Sequence, residues 1–147
     1  MKNDRSLNFT ILAVKAAFVL CVIAVVVMPY AAEVYKSLQM SEDDVTVPLL
    51  ITFYLCAAAG FVILFLLDRL LANIKKGEIF TEANVKALRI LSYCCFFISA
   101  VTLVFAHFRF LSFIVTFAAA FFALILRVLK NCFEEAVRIK EENDFTI

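Results

Sequence analysis

Four stretches without a single charged residue, 16–32, 45–67, 90–106 and 110–126, constrain this chain more than any other feature. Each holds roughly 17–23 residues, enough at ~1.5 Å per helical residue to cross a ~30 Å hydrocarbon core. A soluble bundle would place polar residues at roughly three or four positions of every seven, and these stretches have almost none. Composition agrees. The chain is 65% hydrophobic with a mean hydropathy of +0.97, against roughly 45–50% apolar in ordinary soluble domains. The reading is an all-α membrane protein, one four-span domain over residues 1–147. It is a four-transmembrane-helix bundle with spans near 10–30, 47–68, 88–107 and 110–129 and a tail over 130–147.

Lys2 and Arg5 precede the first stretch, as in a secretory signal. That stretch is long, however, Lys15 interrupts its start, and Pro29-Tyr30-Ala31-Ala32 is a poor cleavage site, so it reads as a retained span. The net charge of +1 gives no reason to expect direct nucleic-acid binding. Charge placement says more. With the N-terminus inside, twelve of the fourteen basic residues fall on cytoplasmic segments, leaving only Lys36 and Arg109 outside. The positive-inside rule then predicts N-in, C-in topology, with both termini in the cytoplasm. Seventeen phenylalanines and no tryptophan leave Tyr30 and Tyr35 as the interfacial aromatics of the first span.

Local signals set the connections. Pro29 is expected to end the first span, with a short helical turn at 33–39 in the first outer loop, and Thr46 to cap the second helix with Pro48 in its first turn. Leu70, Leu71 and Ile74 extend that helix past the membrane until Gly77 stops it. Thr81 caps the third helix, Glu82 suits its first turn, and Phe80 is placed to staple onto Val85. The fourth helix has no Gly or Pro from Arg127 to Asn143, so it should continue about 20 Å into the cytoplasm. Along that extension Leu126, Leu129, Phe133, Ala136 and Lys140 form a stripe at helical spacing.

Small side chains let helices approach closely in lipid. Ser92, Cys95, Ser99, Thr102 and Ala106 form such a seam on span 3, and Ser112, Thr116, Ala119 and Ala123 on span 4. An antiparallel hairpin about Arg109 pairs Ala106 with Ser112, Thr102 with Thr116, Ser99 with Ala119 and Cys95 with Ala123 in one constant register. Cys56, Ala57 and Gly60 offer span 2 a similar face.

Candidates for chemistry are few. Lys15 lies inside span 1 and either snorkels to the interface or pairs with Asp68 at the same level of span 2. No Asp or Glu lies within the four charge-free stretches, which argues against proton-coupled transport. Cys21, Cys56, Cys94 and Cys95 lie within spans and Cys132 beyond them, without the paired outer thiols of a membrane oxidoreductase. His107 stands alone, so neither bis-imidazole haem ligation nor a metal site is expected, and no cofactor is. Glu42, Asp43 and Asp44 read as a solvated acidic loop. No nucleophile–base set or phosphate loop appears, and an enzyme is not expected.

The inward-facing segments carry the remaining signal. Ile79 and Phe80 stand exposed beside a basic rim that suits anionic headgroups or a protein groove. Asp144, Phe145, Thr146 and Ile147 form an ending able to add to a sheet edge or lie in a groove.

The four-span layout, the G-x-I-F-T-x-x-N-V-x-x-L-R pattern of residues 77–89 and the ending E-N-D-F-T-I resemble the YoaS-like family of small bacterial four-span membrane proteins of unknown function. Members of that family are typically encoded beside a very small helix-turn-helix regulator. The resemblance implies a bacterial inner-membrane protein that tethers or restrains such a regulator; because the segments with defined chemistry all face inward, the docking surface is expected at Ile79, Phe80, Phe133 and the 144–147 tail. The other reading is a small oligomeric transporter or channel, or an immunity protein against a membrane-active peptide; self-association into a homo-oligomer is open under either.

Overall fold

The computed structural model describes residues 2–38, 45–107 and 109–146. Four helices account for nearly all of them: α1 (Lys2–Leu38), α2 (Thr46–Lys75), α3 (Glu82–Ala106) and α4 (Ser112–Phe145). Each is long and apolar enough to cross a membrane. The chain is a multi-pass membrane protein.

The helices pack in chain order, α1 on α2, α2 on α3 and α3 on α4. Among the described residues the backbones of α1 and α4 do not come together, so the bundle is open on that side. Successive helices run antiparallel. The start of α1, the α2–α3 turn and the end of α4 therefore share one end, here the tail end. The α1–α2 connection and the α3–α4 turn share the other, the hairpin end. Lys75 donates to Asn8 Oδ1 at 3.2 Å, tying the first turns of α1 to the last turn of α2 at the tail end.

On α1 the residues withdrawn from the surface are Leu7, Ile11, Val14, Ala17, Cys21, Val25, Met28 and Ala32. They step by threes and fours, the narrow seam of a helix with one protein neighbour and lipid elsewhere. Phe18 meets Phe61 of α2 edge-on, ring centroids 5.3 Å apart. α3 is the opposite case. Packed on both sides, it holds nine buried residues, Leu91 and Asn84 among the most enclosed.

Pro29 does not end α1, which continues through Leu38 and absorbs the short turn expected after it. A proline cannot donate to the carbonyl four residues back, which here belongs to Val25. Tyr54 of α2 donates its hydroxyl to that carbonyl at 3.4 Å. A neighbouring helix thus supplies the donor that proline lacks, which is how membrane helices tolerate the residue.

Thr46 is the first helical residue of α2 and not its cap; Val45 holds the cap position, and Pro48 sits in the first turn. At the other end of α2 the chain turns as expected. Gly77 takes a left-handed φ of 83°. Its amide reaches Ile74 O at 3.0 Å and the Glu78 amide reaches Asn73 O at 3.0 Å, the paired bonds of a Schellman ending. Gly60 is not a point of close approach, since a Cβ built there meets nothing within 4 Å.

The α3–α4 hairpin is stitched by hydroxyls. Thr116 Oγ1 donates to Thr102 Oγ1 at 2.9 Å, placing these two residues directly opposite. Ser112 donates to Thr102 O at 2.8 Å, Ser99 to Thr116 O at 3.1 Å and Ser92 to Ala123 O at 3.1 Å. These carbonyls lie three or four residues before the positions level with each serine. A helical carbonyl points toward the residue four places on, so the bonds belong to the same register as the threonine pair. Ala106 and Ala123 are buried in this seam, whereas Cys95 and Ala119 sit half-buried at its edge.

Candidate functional site

At the tail end the turn between α2 and α3 is built tightly. Thr81 adopts an extended backbone, and its Oγ1 accepts the Asn84 amide at 3.4 Å. The Asn84 side chain, wholly buried, then turns back on the loop. Its Nδ2 donates to Glu78 O at 2.8 Å and to Ile79 O at 2.7 Å, while its Oδ1 accepts from Asn73 Nδ2 at 2.8 Å. Asparagine is the residue that can donate twice and accept once from such a position. The loop carbonyls that a four-residue turn leaves without helical partners are met by this one side chain.

The turn carries Ile79 and Phe80 on its outer surface, 38% and 44% exposed. Phe80 also packs against Phe133 of α4, ring centroids 5.3 Å apart and planes at 59°. At the next residue, Glu134 gathers two cations, Lys130 Nζ at 2.5 Å and Arg89 at 3.3 Å. The hydrogen bond from Lys130 holds the Glu134 carboxyl below its ordinary range; desolvation opposes it, and the charges of Lys130 and Arg89 add to the lowering. Residues 127–137 of α4 are thereby laid along the start of α3. Beyond Val137 every described residue is exposed.

This geometry redraws the stripe expected on the extension. Phe133 and Ala136 are half-buried, but Leu129 and Lys140 face outward, and the buried position is Val137. The part of α4 free of α3 is residues 138–145, about 12 Å of helix, because the preceding turns lie against α3. Arg138 braces it with Glu135 at 2.6 Å and Glu142 at 3.8 Å.

The structure brings together Ile79, Phe80 and Phe133 but not the tail. Phe145 lies twelve residues beyond Phe133, roughly 18 Å along the axis. Asp144, Phe145 and Thr146 are exposed, Phe145 at 91%. Thr146 Oγ1 turns back to Glu142 O at 2.6 Å. Ile147 lies outside the described residues, as do Glu42, Asp43 and Asp44 of the acidic loop.

Lys15 and Asp68 line one groove between α1 and α2, with a volume near 300 Å³. No ion pair among the described residues joins them. Both are exposed at the protein surface. The described residues hold no cluster of three or more His, Cys, Asp or Glu that could bind a metal.

Asn84 and Arg89 are fixed positions of the 77–89 pattern, but the sequence gives neither a partner and leaves Asn73 unmarked; Asn84 also stands three residues after a helix-capping threonine and next to apolar Val85. The partners become visible only when α2, α3 and α4 are set side by side.

No curated protein and no solved structure matches the chain. A family model does, over residues 30–147, from the last part of α1 to the chain end. The tail-end turn and the whole α3–α4 hairpin lie within that match, and the chain belongs to the family of proteins of unknown function DUF2975.

Proposed function

We propose that this is a non-enzymatic protein of the bacterial inner membrane that docks a cytoplasmic partner at its tail end. The observation that carries the reading is the built turn at Asn84, which holds the exposed Ile79 and Phe80 on a platform tied to two helices. The eight free residues of α4 and the exposed Phe145 offer a second contact about 18 Å away. Twelve of the fourteen basic residues support placing this end in the cytoplasm. The resemblance to the YoaS-like family favours a small helix-turn-helix regulator as the partner, held at the membrane and so kept from DNA.

The transport or immunity reading has less support. The hydroxyls of Ser92, Ser99, Thr102, Ser112 and Thr116 are all bonded within the α3–α4 hairpin, and no other polar stripe is offered.

Topology is tested with the native, exposed Cys132. A membrane-impermeant maleimide should label it in inside-out vesicles and not in intact cells; the reverse pattern ends the proposal. Docking is tested by co-purifying the neighbouring regulator with the full chain, with Ile79→Ser/Phe80→Ser, and with a chain lacking residues 144–147. Recovery should fall in both altered chains. Equal recovery from all three removes both surfaces from the reading.

A further inference from the structure

The hairpin end holds a feature that docking at the tail end does not use. A groove of about 490 Å³ opens between α2, α3 and α4, walled by Leu49, Phe53, Phe105, Leu111 and Val115. Arg109 lines it from the α3–α4 turn. Its guanidinium lies 5.6 Å from the centre of the Tyr35 ring of α1, so one face of the cation is held by an aromatic surface. Its Nε is buried and has no hydrogen-bond partner. No hydroxyl of the groove lining, neither Tyr35, Thr52, Thr102 nor Ser112, accepts from that nitrogen.

We propose that this groove binds an anionic phospholipid, with its headgroup at Arg109 and one acyl chain along the apolar wall. The volume falls within the ~300–1,000 Å³ usual for ligand sites, and the wall is apolar with one convergent charge, the pattern of an amphiphile site. The charge is positive and its buried Nε has no acceptor among the described residues, so the occupant carries an acceptor and the negative charge. The groove opens sideways from segments that lie in hydrocarbon, so a lipid reaches it without crossing water. Phe110 and Leu111, 83% and 74% exposed on the turn, set this end at the bilayer surface, where headgroups are.

The chain contains no tryptophan, so Phe53→Trp places a single fluorophore in the groove wall. The full chain carrying it is reconstituted in phosphatidylcholine vesicles doped with acyl-brominated phosphatidylglycerol or acyl-brominated phosphatidylcholine. Quenching gives the relative association of each lipid with the groove. The anionic lipid should be preferred by about five-fold, the effect of one basic side chain near a membrane surface. Phe65→Trp, exposed on the lipid-facing side of α2, should report no preference. Adding Arg109→Gln should bring the groove ratio to about one, and Arg109→Lys should retain most of it. Val115→Phe, which fills the groove and leaves Arg109 in place, should also abolish the preference, so the result does not depend on one variant folding. A ratio near one in the Phe53→Trp chain, or a preference that survives both Arg109→Gln and Val115→Phe, overturns the proposal.

Discussion

Asn73 and Asn84 share one hydrogen bond, Nδ2 to Oδ1 at 2.8 Å, and it joins the last turn of α2 to the first turn of α3. Because the Asn84 amide also donates to Glu78 O and Ile79 O, one buried side chain decides the shape of the turn that presents Ile79 and Phe80.

Asn84→Leu keeps the branched shape, with a somewhat larger volume, and removes all three bonds. Two loop carbonyls and the Asn73 amide lose their partner, and an unmet buried polar group costs about 1–3 kcal/mol. A loss of about 2–3 kcal/mol is expected in reversible unfolding from mixed micelles. Asn84→Asp should be at least as damaging at neutral pH, because it sets a carboxylate oxygen against two carbonyls. A loss below about 0.5 kcal/mol for either variant would show that the turn stands without this side chain.

The two glycines should respond with opposite sign. Gly77 holds a φ of 83°, a region that costs an L-residue about 1–2 kcal/mol, so Gly77→Ala should destabilise by that amount. Gly60 lies inside α2 with open space around it. Gly60→Ala should be neutral or stabilising by up to about 1 kcal/mol. Thermal unfolding of both variants in one detergent makes the comparison direct.

Tyr54 and Pro29 should be coupled. Tyr54→Phe removes the donor to Val25 O and is expected to cost about 1 kcal/mol. In a Pro29→Ala background the helix regains its own amide at that carbonyl, and the cost of Tyr54→Phe should fall toward zero. A double-mutant cycle measures the difference. Additive effects would mean that the 3.4 Å contact contributes nothing to the continuity of α1.

Glu134 makes α4 sensitive to acid, chiefly through its i,i+4 partner Lys130 and less through Arg89 of α3. Its carboxyl is held below the ordinary value in the folded chain, first by the hydrogen bond from Lys130. Its contribution is therefore complete above the unfolded glutamate value, about 4.3, and is lost as pH falls through the lower folded value. Stability followed from about pH 7 down to 3 should decline less steeply for Glu134→Gln than for the parent. The effect is small, because Arg89 and Glu134 are each about half exposed to solvent. Identical acid limbs would exclude a role for this pair.

What the sequence determined by itself was whatever depends on neighbours along the chain. Four charge-free stretches dictate four helices that can cross a membrane, because hydrocarbon leaves backbone groups no partner but one another. Gly77 and Thr81 marked the ends of α2 and α3, since a left-handed residue and a capping hydroxyl act within a few residues of themselves. The small residues of spans 3 and 4 set out a hairpin seam, because the helical period decides which side chains share a face. Only the tertiary structure decided the rest. Pro29 reads as a stop until Tyr54 is brought from α2 to Val25 O. The extension of α4 reads as a free rod until Phe80, Arg89 and Val137 lay its first turns along α3. Arg109 reads as a surface charge until Tyr35 and three helices enclose its Nε. In each case the deciding partner lies on another helix, at a distance and angle that sequence spacing does not encode.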